Sequence, residues 1–244
     1  MRSLLGALGF LTTLPAGRDS KSFEAFRRKI YVMPFAGLIS GLICSAICLF
    51  LSLAGVSFLA PLAFLAVEGI NHLDGLSDFG DAVFAPSSRK VQAMKDVNTG
   101  AGGTVAVVLW ALSVSLSSAR MNAAELALFA LFAEVCGKSG MLLALTTSRA
   151  AWEGMGSYMM EFAEKKTTAL SLAFVSTLAL IAQLLSGYPL FYAYISSIIL
   201  SVIVVFYSVR TFGGVSGDIF GAINCLAIAS CMVFPSLKFF NLKS

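Results

Sequence analysis

The stretch "VMPFAGLISGLICSAICLFLSL", Val32 to Leu53, runs the length of a bilayer crossing without one charged side chain. About 20 apolar residues span the hydrocarbon core as a helix, because every backbone polar group must there be satisfied within the segment. Similar runs recur along the chain, so the spans are the fold rather than an anchor. Of the 244 residues 58% are hydrophobic and 12% charged, and the mean hydropathy is +0.86. Soluble domains carry about twice that share of charge.

Seven candidate spans follow: Val32–Leu53, Val56–Ile70, Thr104–Ser118, Ala124–Thr146, Ala169–Ser186, Pro189–Ser208 and Ile219–Phe234. The second and third are short, which leaves six as the alternative. The fold class expected is an all-α, polytopic integral membrane helix bundle, with residues 1–244 forming one domain. Leu4–Leu14 is too short to span and lacks a cleavage-site pattern, so it reads as an interfacial or re-entrant segment. The five cysteines sit inside apolar runs with no CxxC spacing, which predicts buried thiols rather than a metal site.

With the N-terminus in the cytoplasm, 13 of the 17 basic residues fall inside. Arg120, Lys238 and Lys243 fall outside, and Lys138 lies within a span, a strong positive-inside bias. Three polar connections then share the cytoplasmic face: Asn71–Gly103, Arg149–Thr168 and Arg210–Asp218.

The first contains "HLDGLSDFGDA", His72 to Ala82, with three aspartates and the only histidine. At about 100° per residue a helix places Asp74, Asp78 and Asp81 within about a 60° arc, beside Asn71. Like charges so close call for an opposing cation. Oxygen-only donors suit a hard ion, and an ion shared with substrate phosphates favours Mg²⁺. Gly75 and Gly80 interrupt the same face, as expected where the backbone meets a ligand closely. "MKDVNTGAGG", Met94 to Gly103, sets Lys95 and Asp96 before three glycines and can cradle phosphate. "GGVSGDIFGA", Gly213 to Ala222, offers Gly213, Gly214, Ser216, Gly217 and Asp218 at the mouth of the last span, with Asp218 either capping that helix or facing a ligand. Glu134 and Lys138, spaced i and i+4 within a span, can neutralise each other.

"FLTTLP" (Phe10–Pro15), "MPFAGLISG" (Met33–Gly41), "HLDGLSDFGDAVF" (His72–Phe84), "MKDVNTGAGG" and "GGVSGDIFGA" occur in that order along nearly the whole chain. Together they closely resemble the cobalamin synthase family, the adenosylcobinamide-GDP ribazoletransferases. The resemblance implies a Mg²⁺-dependent membrane enzyme of late vitamin B12 assembly that joins adenosylcobinamide-GDP to α-ribazole or its 5′-phosphate and releases GMP. It implies Asp74, Asp78 and Asp81 as metal-binding carboxylates. Asp96 is then the expected general base for the ribazole hydroxyl, with Lys95 offsetting phosphate charge. Arg89 is expected to share that work, because the serine and arginine frequent after Asp96 in that family are replaced here by Val97 and Asn98. Arg89, Asn71, Gly213, Gly214, Ser216, Gly217, Asp218 and Lys138 are the expected substrate-binding set. Expected partners are the two substrates and membrane lipid, with no nucleic acid and with a homo-oligomer open; the expected location is the cell membrane, with the active site facing the cytoplasm. The competing readings are a CDP-alcohol-type phosphotransferase, which would place Ala-Arg soon after Asp-Gly, and a transporter using Glu68 and Glu134, which would show repeated halves.

Overall fold

The computed structural model describes residues 1–237, and among them the chain is a helix bundle whose only β feature is an isolated bridge between Ala150 and Val215. Lys238 and Lys243, expected at the outer face, lie outside the described residues. In chain order the helices are α1 (Arg2–Leu11), α2 (Ser20–Arg27), α3 (Met33–Leu53), α4 (Ala60–Glu68), α5 (Asn71–Phe84), α6 (Lys90–Ala93), α7 (Ala101–Ser118), α8 (Ala123–Thr147), α9 (Met155–Met160), α10 (Lys165–Ser186), α11 (Leu190–Phe212) and α12 (Gly217–Val233). Their ends carry local signals. Asp19 accepts the amide of Ser22 to cap α2, Asn122 accepts that of Glu125 to cap α8, and Pro34 opens α3. Gly187 and Gly213 close α10 and α11 in the left-handed conformation, with φ of +74° and +80°.

Among the described residues six helices are long and apolar enough to cross a membrane: Ile30–Leu53, Ala101–Ser118, Ala123–Thr147, Lys165–Ser186, Leu190–Phe212 and Gly217–Ser236. The chain is a polytopic all-α membrane protein. Leu53, Leu116, Phe174, Leu185 and Phe206 point outward on these helices, as they would toward lipid. Helix α8 runs through the middle, packed on α3, α11 and α12.

The expected second span, Val56–Ile70, is instead a short apolar segment, Ser57–Glu68. Helices α3 and α7 both begin at one end of the bundle, so the chain between them has to return there. It does so in two pieces, α4 and α5, separated at Gly69, whose φ of +76° stops the first helix. The break frees carbonyls of the last turn of α4. Thr13, after α1, supplies donors: its amide reaches the Val67 carbonyl at 2.8 Å and its hydroxyl that of Ala66 at 2.7 Å. Asn71–Gly103, read from the sequence as a long polar connection, therefore begins with a 14-residue helix.

Close backbone approach holds α3 to α8. A Cβ on Gly41 would lie 2.4 Å from the Leu131 carbonyl oxygen, and one on Gly37 2.9 Å from that of Glu134. Small residues four apart let two helices meet where no water drives them together. At the same depth lies a polar network. The Lys138 ammonium, wholly buried, bonds to the Glu68 carboxylate and, at 2.9 Å, to Asn224 Oδ1. Asn224 Nδ2 donates to both Glu68 oxygens, at 2.9 and 2.8 Å. Glu134 accepts the Ser40 hydroxyl at 2.6 Å and stands 3.6 Å from Lys138. The i,i+4 pair expected within α8 thus exists, but the closer acidic partner comes from α4. All five cysteines are buried and free.

Candidate functional site

At the end of the bundle where α3, α7 and α12 begin and α8 and α11 finish, the side chains turn polar. Helix α5 reaches this end packed on α12 and α7. A Cβ on Gly75 would sit 2.5 Å from the Asp218 carbonyl oxygen, and one on Gly80 would meet the Ala106 methyl at 2.6 Å. These glycines were expected to admit a ligand; they admit neighbouring helices. The contact makes Asp74 level with Asp218, the second residue of α12, while farther along α5 Gly80 packs on the first turns of α7.

Four carboxylates collect there. Burial, then the charges of Asp74, Asp218 and Asp81, push the Asp78 carboxyl up to about 7. None of these four aspartates enters an ion pair among the described residues. Asp81 is already engaged: its two oxygens accept the amides of Gly100 at 2.7 Å and Gly103 at 2.8 Å, anchoring the start of α7. Asp218 is not the cap of α12, because Ser216 takes that position and accepts the Ile219 amide. Its carboxylate is thereby left to line a cleft. The set that faces the cleft is Asp74 and Asp218, with Asp78 one turn along α5 and Asp81 turned toward α7.

The cleft has a volume of about 330 Å³, within the size range of small-molecule sites. Asn71, His72, Asp74, Gly217 and Asp218 form its polar side. Leu11, Met33, Met141, Leu145, Met159 and Phe220 form the other, and Phe10 with Met155 stands at its rim. The imidazole Nδ1 of His72 is buried without a hydrogen-bond partner, 3.6 Å from Glu68.

The remaining expected residues lie elsewhere. Asp96 is exposed on the turn after α6, where bonds from the Asn98 amide and side chain lower its pKa. Lys95 Nζ rests 4.5 Å from the Trp152 ring centre, and Arg89 is exposed before α6. Gly214 packs against Arg149 and Ala150 beneath the isolated bridge, and Gly213 accepts a bond from the Arg149 guanidinium. Lys138 is not among the residues lining the cleft; one turn before Met141 on α8, its ammonium is held in the buried network by Glu68 and Asn224. Reasoning from the sequence missed the methionine wall, since methionines scattered over Met33, Met141 and Met159 carry no local pattern.

Comparison with known proteins bears on what this end of the bundle does. No solved structure matches the chain. Two adenosylcobinamide-GDP ribazoletransferases of Archaeoglobus fulgidus are 40% and 38% identical to it, over 94% and 95% of this chain and 95% and 96% of their own lengths. One of Thermococcus kodakarensis is 35% identical over 96% of this chain and 98% of its own. The family model described as cobalamin-5-phosphate synthase matches residues 3–235. With the match running from the first turn of α1 to the end of α12, the chain belongs to the cobalamin-5-phosphate synthase family.

Proposed function

We propose that the protein is an adenosylcobinamide-GDP ribazoletransferase, which joins the phospho-cobinamide group of its donor to α-ribazole or α-ribazole 5′-phosphate and releases GMP. The observation that carries this reading is a group of carboxylates without ion pairs among the described residues, Asp74 and Asp218 lining a cleft of small-molecule size and Asp78 one turn along α5. Carboxylates do not bind a diphosphate by themselves, so an intervening cation is implied.

The donor chemistry suits Mg²⁺: hard oxygens only, mutual repulsion, and no protein cation paired to them. No three acidic, His or Cys side chains among the described residues converge tightly enough to hold an ion as they stand, so rotation of Asp74, Asp78 and Asp218 toward one another is part of the proposal. When bound there, a divalent ion would supply neutralisation of charge on the diphosphate oxygens. The residues of the chain do the rest. Asp74 and Asp218, on facing helices, orient the diphosphate at the cleft mouth, and the apolar wall excludes water from the reacting phosphorus. Phosphoryl transfer of this kind runs through a loose transition state, so positioning outweighs base strength. Asp96, exposed and held by Asn98, is therefore not needed as a strong base.

The basic residues Arg2, Arg18, Arg27, Arg28, Lys29, Arg89, Lys95, Arg149 and Arg210 belong to this end of the chain's topology, which supports placing it at the cytoplasmic face of the cell membrane, against anionic lipid. The test is direct: purified protein should release GMP from adenosylcobinamide-GDP only when α-ribazole and Mg²⁺ are both present. Failure to release GMP under those conditions would overturn the reading.

A further inference from the structure

The cleft has two walls of opposite chemistry, and the reaction has three recognition elements of different chemistry: a corrin macrocycle, a guanine and the base of the acceptor nucleoside. Met33, Met141 and Met159 are each at most 5% exposed, and with Leu145 and Phe220 they line one side without a hydrogen-bonding side chain. A corrin is too large for about 330 Å³. Guanine carries donors and acceptors around its edge, and thioethers and hydrocarbons would leave them unpaired, which costs affinity. A benzimidazole-type base is flat, apolar along its fused ring, and polar only near the nitrogens by which it joins the sugar. Thioethers pack well against such rings and adapt to their outline.

We infer that the wall formed by Met33, Met141, Met159 and Phe220 is the acceptor-base subsite, taking the fused aromatic base of the ribazole and setting specificity for it. This rests on the transferase reading above. Position agrees with chemistry. A base seated on the methionines, with its sugar turned to the polar wall, brings the ribose hydroxyls to Asn71, Asp74 and Asp218, where the diphosphate is to be held. Phe10 and Met155 at the rim then cover the exposed ring edge. The remaining elements, guanine and corrin, fall to the exposed loops and to the apolar surface outside the cleft.

The test separates the two substrates. The substitutions Met141→Gln and Met159→Gln keep side-chain length but place an amide against the ring. Each should raise the KM for α-ribazole about tenfold or more while the KM for adenosylcobinamide-GDP stays within about twofold. A rise confined to the donor KM would move guanine or corrin into the cleft and overturn the inference, as would no change in either. Wild-type selectivity gives an independent arm should the glutamine variants fail to fold: an α-linked purine riboside should be used at least about tenfold less well than α-ribazole, and equal use would overturn the subsite. Calorimetric binding of α-ribazole alone distinguishes the two levels of the argument. Binding that Met159→Gln weakens, without any turnover by wild type, would retain the subsite and sink the transferase reading. Turnover with α-ribazole binding indifferent to Met141 and Met159 would sink the subsite only.

Discussion

Both oxygens of Asp81 are taken by the amides of Gly100 and Gly103, whereas the Asp218 carboxylate accepts the hydroxyl of Ser216, the cap of α12, at 3.3 Å and lines the cleft. The two aspartates should therefore answer differently to substitution. Mg²⁺ should raise the melting temperature of the wild-type protein, and Asp78→Asn and Asp218→Asn should abolish that rise. Asp81→Asn should instead lower the midpoint with or without Mg²⁺, because an amide side chain offers one acceptor oxygen to the two amides of Gly100 and Gly103, and keep the Mg²⁺ response. The same melting curves would refute the arrangement if Asp81→Asn alone lost the response. Asp96→Asn gives a second measurement at this scale. General bases contribute about 10²–10⁴-fold, so a fall in GMP release of less than about tenfold is the outcome expected of a carboxylate outside the cleft, and a larger fall would restore Asp96 as the base. Helical spacing made Asp74, Asp78 and Asp81 legible as one acidic face. It could not reveal that a glycine-rich turn some 20 residues on would claim Asp81 through its amides, because a tertiary cap leaves no mark in local spacing.

Among elements, the pairing of α5 with α12 depends on the absence of one methyl group. A side chain at Gly75 meets backbone rather than a movable side chain, so Gly75→Ala has to push the helices apart. The expected cost is about 1–3 kcal/mol of stability. GMP release should fall further than stability alone explains, because Asp74 and Asp78 are displaced from Asp218. Denaturant unfolding and turnover on the same preparation check this, and unchanged turnover in a destabilised variant would separate the helix contact from the chemistry. Six of the seven expected spans stand within a few residues of their long helices, since continuous apolar runs are a strong signal. Thr104–Ser118 gains one turn to begin at Ala101. The misread element was Val56–Ile70, where composition is apolar throughout yet Gly69 divides the return. Glu68 at that point was visible as a lone acid, but its partners, Lys138 and Asn224, lie 70 and 156 residues away.

For the whole molecule, the collected site residues and the basic ends define one chemical face. Because the native cysteines are all buried, the orientation can be read with introduced ones. Ser88→Cys, on the exposed connection after α5, should react with an impermeant maleimide in inside-out vesicles, and Arg120→Cys, at the opposite end, only in right-side-out preparations. The reverse pattern would invert the proposed topology. The bond from Thr13 to the broken end of α4 has a consequence in time. Thr13 is synthesised before the carbonyls it bonds, which lie more than fifty residues later in the chain. Until α4 has been made and inserted, Thr13 lacks the carbonyls it bonds, so α1, although it can already pack on α2 and α3, completes its docking only after the return through α4.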